Sequence, residues 1–368
     1  MHVTAPKNSA KSNNYSKIAL VTIRPTLYMN QNIRHPMDTV IAVVVTYNRQ
    51  FLLGQCIDAL RKQTRKPDKI FVVNNGSTDH TESWLRSQKD IEFITQGNVG
   101  SAGGFYTGIK NAFEKKYTWI WLMDDDGYPK EDALELLLQG ENEPLCLRNC
   151  SVINKEDKKS FVWKTSNYKS IEEVREKKII NVAHPFNGTL LHRNIVERVG
   201  LPKEHLFIWG DESEYFQRIV SKHKIPFYTK AHSIHYHPAT AYSYKKDWNL
   251  ATNWKMYYYV RNRFFVLKTK FSKSVALATV MYLGFIIAFA GLTIVFQKTD
   301  KWKKLNFIFW PMTDAFNNNT DATPSFILNK ISSSSSYRPG NYFLNQIKTI
   351  RNTMFPASAI NVNKLKKA

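Results

Sequence analysis

The chain has 368 residues, of which 43% are hydrophobic, so it can bury a substantial core, and this argues against a disordered protein. The formal net charge of +22 at pH 7 favours an anionic partner, which is nucleic acid, acidic lipid or a phosphorylated substrate. The three cysteines, Cys56, Cys146 and Cys150, have no histidines nearby, so reduced thiols in the cytosol are favoured over a zinc site.

The first 37 residues precede any regular pattern. They contain no uninterrupted apolar run of signal-peptide length before Pro25, and they are rich in Lys, Asn and Ser. We therefore expect residues 1–37 to form a flexible, solvated leader and not an export signal.

Strands and helices are predicted to alternate from residue 38 onward. Four apolar runs are separated by segments whose apolar residues recur at helical spacing. Nearly continuous apolar strands that alternate with helices predict a parallel sheet buried on both faces. The predicted strands are Val40–Thr46 and residues 70–73, 91–95 and 118–123.

A short polar or glycine-rich loop directly follows each predicted strand. These loops are residues 46–49, 74–79, 97–104 and 124–126. Ligands of such sheets bind beyond the carboxyl ends of the strands. We therefore expect the four loops to line one ligand site.

Three consecutive aspartates, Asp124, Asp125 and Asp126, follow the fourth predicted strand. Adjacent carboxylates repel one another, and a divalent cation removes that cost. Hard oxygen ligands suit Mg²⁺ or Mn²⁺ bound together with substrate phosphates. The alternative is a solvated acidic turn closed by Gly127 and Pro129.

Four glycines, Gly97, Gly100, Gly103 and Gly104, open the predicted third helix. Their backbone amides and the start of the helix could approach a phosphate closely. The spacing matches neither the P-loop nor the dinucleotide fingerprint. A tight turn explains the glycines equally well, and residues 74–79 also fit an ordinary Asx-type turn.

In this order, the loops resemble those of family 2 glycosyltransferases with the GT-A fold. The matching segments are residues 46–49 (TYNR), 75–79 (NGSTD), 98–104 (NVGSAGG) and 123–127 (MDDDG). The AGGF segment together with DDDG is similar to the galactofuranosyltransferase and rhamnosyltransferase branch. The resemblance covers roughly residues 40–262. It implies an α/β, Rossmann-like domain over residues 38–245, with a mostly parallel sheet and helices on both faces.

The resemblance also implies where the donor and the metal bind. Asp124 and Asp126 match the metal-binding aspartates, so Mn²⁺ or Mg²⁺ is the implied cofactor. Asp125 would lie beside the donor sugar. Contacts with the nucleotide-sugar donor are implied for Thr46, Tyr47, Arg49, Asn75, Asp79, Asn98, Gly100, Gly103, Gly104 and Asp124.

A second acidic cluster, Asp211-Glu212-Ser213-Glu214, lies in the mixed region between residues 145 and 237, which we expect to complete the domain on the acceptor side. Inverting sugar transfer needs a carboxylate that takes the proton of the acceptor hydroxyl. The resemblance assigns this base to Glu212, where relatives usually carry Asp, and Asp211 stays open as the alternative. Acidic residues are also common at helix starts because of the helix dipole.

His235 and His237 are one strand period apart, so they point the same way if the segment is extended. In the relatives, a histidine at about this distance completes the metal site. Either residue fits that role. The alternative is a surface strand with incidental histidines.

The composition changes after residue 245. Residues 246–315 are predicted to form a helical, membrane-associated region, because an aromatic and basic segment precedes 22 uncharged residues, Val275–Phe296. Lysines flank both ends, so a membrane span, a helix lying in the interface and a hydrophobic dimer contact all stay open. Residues 316–368 are predicted to be a low-complexity linker and a basic tail.

These features predict an inverting, metal-dependent glycosyltransferase at the cytoplasmic face of a bacterial plasma membrane. The expected donor is UDP- or dTDP-linked galactofuranose or rhamnose. The expected acceptor is a polyprenyl-diphosphate-linked molecule or another envelope glycan. An anionic membrane surface is an expected partner, nucleic acid is not, and oligomer formation stays open.

Three other functions compete with this one. The charge fits a nucleic-acid-binding protein, whose binding would be strongly salt-dependent. A nucleotidyltransferase on a similar fold would need a phosphate-activating Lys or Arg within residues 97–104, and none is present. A non-catalytic membrane scaffold leaves the two acidic clusters without a purpose.

Overall fold

A computed structural model describes residues 38–139, 145–239 and 246–333. The leader predicted at residues 1–37 and the basic tail after residue 333 lie outside these ranges. The described residues form an α/β sheet domain followed by a group of packed helices.

The first half of the sheet is parallel, as the sequence predicts. Its register places Thr46 opposite Asn74 and Val45 opposite Asp124, so the loops that follow these strands emerge at one edge. The strands lie in the spatial order β3-β2-β1-β4. In chain order the elements are β1 (Val40–Thr46), α1 (Gln50–Arg61), β2 (Lys69–Asn74), α2 (Thr81–Ser87), β3 (Ile91–Thr95), α3 (Gly100–Glu114) and β4 (Trp119–Asp124).

The second half of the sheet is mixed. In chain order it comprises β5 (Tyr128–Pro129), α4 (Ala133–Leu138), β6 (Leu147–Asn154), β7 (Ser160–Thr165), β8 (Tyr168–Ser170), β9 (Lys178–Ile180), β10 (Thr189–His192), α5 (Arg193–Val199), α6 (Asp211–Gln217) and β11 (Phe227–His237). β10 runs antiparallel to β4 and β6, and β11 runs parallel to β6. The sheet therefore continues from β4 through β10, β6 and β11 to β5.

Helices cover both faces of the sheet because β1 is apolar at every second position on each side. Val40, Ala42 and Val44 pack with α1, α2 and α4 on one face. Ile41, Val43 and Val45 pack with α3, α5 and α6 on the other face. The predicted α/β fold with helices on both faces is confirmed.

Helices α7 (Met256–Lys270), α8 (Val275–Phe296), α9 (Lys301–Phe316) and α10 (Pro324–Ser333) follow the sheet domain. They share one aromatic core, which includes Tyr257 and Tyr258 of α7 and Tyr282 of α8. Phe207 and Trp209, from the loop before α6, pack against the same core. The helical region is therefore joined to the loop that leads into the second acidic cluster.

The linker predicted after residue 316 is wrong for α10. Pro324 is the first residue of this helix, and the Thr323 hydroxyl accepts a hydrogen bond from the Phe326 amide at 3.3 Å, which caps the helix start. Ile327 is fully buried in the core of the C-terminal helices. A few apolar side chains at helical spacing therefore order a segment whose overall composition resembles a linker.

Candidate active site

A cavity of about 880 Å³ opens beyond the carboxyl ends of β1, β2 and β4 and reaches the starts of α6 and α7. The four loops that follow the parallel strands and the second acidic cluster meet there. Asp79, Gly103, Gly104 and His235 lie outside its walls. The predicted site residues on its walls are Thr46, Tyr47, Arg49, Asn75, Asn98, Gly100, Asp124, Asp125, Asp126, Asp211, Glu212 and His237.

Arg49 holds two of the three consecutive aspartates. Its Nη1 lies 3.1 Å from Asp125 Oδ1 and 2.7 Å from Asp126 Oδ2. Thr46 donates to the second Asp125 oxygen at 2.7 Å. This pairing reduces the repulsion within the cluster. Burial, followed by the charges of Asp126 and Asp125, nevertheless raises the pKa of Asp124 well above its usual value.

His237 faces the aspartates with a free ring nitrogen. Its Nδ1 lies 2.8 Å from the Pro238 carbonyl oxygen, which only accepts, so Nδ1 carries the proton and Nε2 presents a lone pair. Nε2 lies 3.4 Å from Asp126 Oδ1, which is buried and accepts no hydrogen bond from the described residues. Burial lowers the pKa of His237 despite the opposing charge of Asp126, which favours the neutral ring.

His235 lies behind this site and not in it. It is fully buried, and a Cβ added to Gly127 would lie 2.3 Å from its Nε2. Burial lowers the pKa of His235 to about 3. The structure therefore separates the two histidines that the sequence leaves equivalent.

The space between Asp126 Oδ1 and His237 Nε2 fits a divalent cation. Mg²⁺ holds octahedral ligands at about 2.1 Å, which puts neighbouring ligand atoms about 3 Å apart. Within the three described ranges, no group of three or more His, Cys, Asp or Glu side chains is arranged to hold a metal ion. Asp126 and His237 could therefore supply only part of a coordination shell, of the kind that substrate phosphates and water ordinarily complete.

The second acidic cluster faces the same cavity from the start of α6. Asp211 is buried, and burial, followed by the charge of Glu212, raises its pKa well above the usual value. Glu212 is only partly buried, and one of its oxygens accepts from the Gly210 amide at 3.2 Å. Its charge also contributes to the raised pKa of Asp124. Glu212 is therefore the more accessible of the two carboxylates, and it lies close enough to the first cluster to act on it electrostatically.

The glycine-rich loop packs tightly against the loop before α6. Gly100 has a φ of +75°, and a Cβ added there would lie 2.0 Å from the Phe207 carbonyl oxygen. That oxygen also accepts from the Ala102 amide at 3.0 Å. Gly104 instead lies against Val45 and allows α3 to approach β1, and Gly103 makes room for the side chain of Val99, the residue before α3. Only the first of these three glycines lines the cavity.

Arg261 and Asn262 of α7 hold the loop that leads to Glu212. Both side chains are fully buried. The Asn262 amide nitrogen donates to the carbonyl oxygens of Leu206, Ile208 and Trp209 at 2.8, 3.0 and 3.0 Å. Arg261 donates to the Leu206 carbonyl at 3.0 Å. The helical region therefore sets the backbone that presents the second acidic cluster.

Sequence reasoning missed several other residues on the cavity walls. They come from segments far apart in the chain, and no short motif marks them. Lys255 lies in the aromatic and basic segment before α7, and its positive charge is the signal that could have marked it as a candidate phosphate contact. The main ones are Trp163, His184, Phe186, Trp209, Lys255 and Arg263.

The sheet domain is similar in sequence to known glycosyltransferases. Residues 41–200 match the family described as glycosyl transferase family 2. The galactofuranosyltransferase GlfT1 of Mycolicibacterium smegmatis is 31% identical over 223 residues, which is 56% of this chain and 74% of that protein. GlfT1 of Mycobacterium tuberculosis strain CDC 1551 is 31% identical over 222 residues, which is 56% of this chain and 73% of that protein.

Among solved structures, the mannosyltransferase PcManGT from Pyrobaculum calidifontis, in complex with GDP-Man and Mn²⁺, aligns with 86% of this chain and 85% of its own. The TM-score is 0.43 and the sequence identity is 15%.

Proposed function

This chain belongs to glycosyl transferase family 2, and we propose that it transfers galactofuranose from a nucleotide diphosphate donor to an envelope glycan acceptor with inversion at the anomeric carbon. The main observation that supports the proposal is that two acidic clusters, one after β4 and one at the start of α6, line the same cavity. The choice of galactofuranose rests on the similarity to the two GlfT1 proteins.

The donor would lie along the loops after β1, β2 and β4. Thr46, Tyr47 and Arg49 would contact the base and ribose, and Asn98 and Gly100 would contact the ribose and diphosphate, since all five line the cavity. Asp125 would lie beside the sugar. Lys255 is on the same wall, and its proximity to Arg49 and the aspartates suits a role in holding the diphosphate.

A divalent cation held by Asp126 and His237, beside Asp124, would neutralise the departing diphosphate. His237 is the better candidate of the two histidines, because its Nε2 faces Asp126 at 3.4 Å whereas His235 is buried behind the cavity. Mn²⁺ and Mg²⁺ both suit this mixture of carboxylate and imidazole ligands.

Glu212 would take the proton from the acceptor hydroxyl as that oxygen attacks the anomeric carbon. Asp211 is the weaker candidate, because its burial favours the protonated carboxyl, which cannot accept this proton. A smaller, mainly apolar pocket of about 250 Å³ adjoins Glu212 and is lined by Trp209, Met256, Tyr259 and Arg263. It would receive the acceptor, whose sugar can stack on the aromatic rings and whose anionic group can pair with Arg263.

Isothermal titration calorimetry first tests which nucleotide the protein binds. UDP or dTDP is titrated into the purified protein with and without Mn²⁺, and transfer from UDP-galactofuranose and from dTDP-rhamnose is measured on a lipid-linked acceptor. We expect Mn²⁺-dependent binding of UDP and transfer of galactofuranose. Transfer of rhamnose alone would overturn the choice of sugar, and salt-dependent binding of DNA without nucleotide binding would overturn the glycosyltransferase function.

Two variants then test the division of roles. Asp126→Ala should abolish metal-dependent donor binding, whereas Glu212→Gln should keep donor binding and lose transfer. Asp58→Ala on α1 and Glu204→Gln in the loop before α6 are the matched controls. Both residues are exposed and neither lines the cavity, so both variants should keep full activity. Equal loss of binding and transfer in both active-site variants would contradict the assignment.

A further inference from the structure

Helix α8 has one buried face and one exposed face along its whole length. Its 22 residues carry no charge. Ala278, Tyr282, Ile286 and Phe289 are among the buried residues, which recur every three or four positions and pack on the core shared with α7 and α9. The opposite face is therefore left uncovered within the described part of the chain.

This uncovered face is apolar throughout. Val280, Ile287 and Val295 are 62%, 73% and 70% exposed, and the exposed positions between them are Met, Leu, Ile, Ala and Gly. A helix on the surface of a water-soluble bundle ordinarily places polar residues on its outer face. A continuous apolar face about 33 Å long, at 1.5 Å per residue, instead indicates contact with another apolar phase.

The position of Arg263 bears on whether α8 can cross a bilayer. Phe285 is the eleventh residue of the helix, and the Arg263 guanidinium lies 5.7 Å from its ring. Arg263 is exposed and lines the active-site cavity. If α8 crossed a bilayer, this charge and the cavity wall would lie near the centre of the hydrocarbon, where charged side chains are strongly disfavoured.

Charges at the two ends of α8 fit a helix that lies flat. Lys270 and Lys273 precede it, and Lys298, Lys301 and Lys303 follow it, all exposed. This symmetry gives no direction for a membrane span, but a flat helix brings both ends to the anionic headgroups. The exposed Trp302 adds an aromatic ring of the kind enriched at the membrane interface.

We propose that α8 lies in the plane of an anionic membrane, with its outer apolar face at the boundary of headgroups and acyl chains, and does not cross the bilayer. Arg263 connects this surface to the cavity, so the side of the cavity next to Glu212 opens at headgroup level. The inference goes beyond the proposed function, because it holds for any sugar that the enzyme transfers.

Fluorophore depth measurements distinguish the two orientations. Val280→Cys, Ile287→Cys and Ile294→Cys place single labels on the outer face of α8, and the native Cys56, Cys146 and Cys150 are buried. The full chain is bound to phosphatidylglycerol vesicles that contain lipids brominated at different depths. A flat helix gives the same shallow depth at all three labels. A label at 287 that lies deeper than the labels at 280 and 294 would overturn the proposal.

A negative charge placed on the exposed face of α8 tests whether this face contacts a membrane. Ile287→Glu should reduce binding to phosphatidylglycerol vesicles at least tenfold in flotation, while UDP binding stays unchanged. Ile180→Glu is the control, since Ile180 is a similarly exposed apolar residue of β9, and this variant should bind vesicles normally. The proposal is overturned if the wild-type chain binds vesicles of no composition and forms an oligomer that Ile287→Glu dissociates. That result would show that a second copy of the chain covers this face. UDP titration reads the donor site independently of this result.

Discussion

Asn262→Ala tests whether the helical region positions the candidate base. In the structure, the Asn262 amide satisfies the carbonyl oxygens of Leu206, Ile208 and Trp209 inside a fully buried site. The amide has two hydrogens, so its loss leaves about two carbonyl groups unsatisfied, at about 1–3 kcal/mol each. We therefore expect the free energy of unfolding to fall by about 2–6 kcal/mol.

The same variant should impair catalysis more than donor binding. Phe207 and Trp209 have φ values of +66° and +55°, which are costly for residues with a side chain, so the loop depends on its hydrogen bonds to keep this shape. A shift of about 1 Å at Glu212 is enough to reduce transfer about 100-fold. Asn262 lies outside the donor loops, so the Kd for UDP should change less than threefold.

The assay combines single-turnover transfer, UDP titration and urea unfolding under conditions where the variant is folded. Lys270→Ala, at an exposed position of the same helix, is the control and should match the wild type in all three. The reasoning is refuted if Asn262→Ala weakens UDP binding as much as transfer, or if stability falls while the transfer rate stays the same.

Two further predictions concern a glycine and a partly buried histidine. Gly100→Ala should lower the free energy of unfolding by more than about 2 kcal/mol, because the added Cβ would lie 2.0 Å from the Phe207 carbonyl oxygen. Gly97→Ala is the control, since a Cβ added there has nothing within 4 Å, and it should change the free energy of unfolding by less than about 0.5 kcal/mol. Urea titration measures both variants. Burial lowers the pKa of His184 from 6.5 to about 4. As the pH falls through this range, the unfolded chain binds a proton that the folded chain does not. The free energy of unfolding should therefore fall by up to about 1.4 kcal/mol per pH unit. In His184→Gln that part of the pH dependence should be absent, and an unchanged slope would contradict the burial of a neutral ring.

Much of the sheet could be predicted from the sequence, because three of its parallel strands, β1, β2 and β4, are buried on both faces. Such strands are apolar at every position, and the residues that end them are polar or glycine, so both their interiors and their boundaries are visible in the sequence. The bounds of β1 and β3 agree with the predictions, and those of β2 and β4 differ by one residue. The mixed half of the sheet was harder to predict, because β10 and β11 join the sheet through contacts between segments that are distant in the sequence.

The site was predictable where it depends on loops after strands, and not where it depends on tertiary contacts. Asp125 and Asp126 follow β4 directly, and topology alone brings them near Thr46 and Arg49. The choice between His235 and His237 was out of reach, because the two lie in the same regular stretch of β11 and their different burial depends on the packing around Gly127. The contacts of Asn262 were also out of reach, since they join a loop and a helix that are more than 50 residues apart.

The contacts of Arg49 explain how three adjacent aspartates are tolerated when no group of three or more His, Cys, Asp or Glu side chains in the described residues is arranged to hold a metal ion. Its guanidinium lies within 3.1 Å of both Asp125 and Asp126, so a resident side chain already relieves part of their repulsion. A divalent cation is therefore not needed to hold the loop together. What stays unsatisfied is Asp126 Oδ1, which faces the lone pair of His237 across 3.4 Å. Both residues line the cavity that the proposed donor would enter, so the proposed cation site would be complete only when the donor supplies its oxygens. The metal would then bind together with the substrate, which is the form of Mn²⁺ dependence that the UDP titration measures.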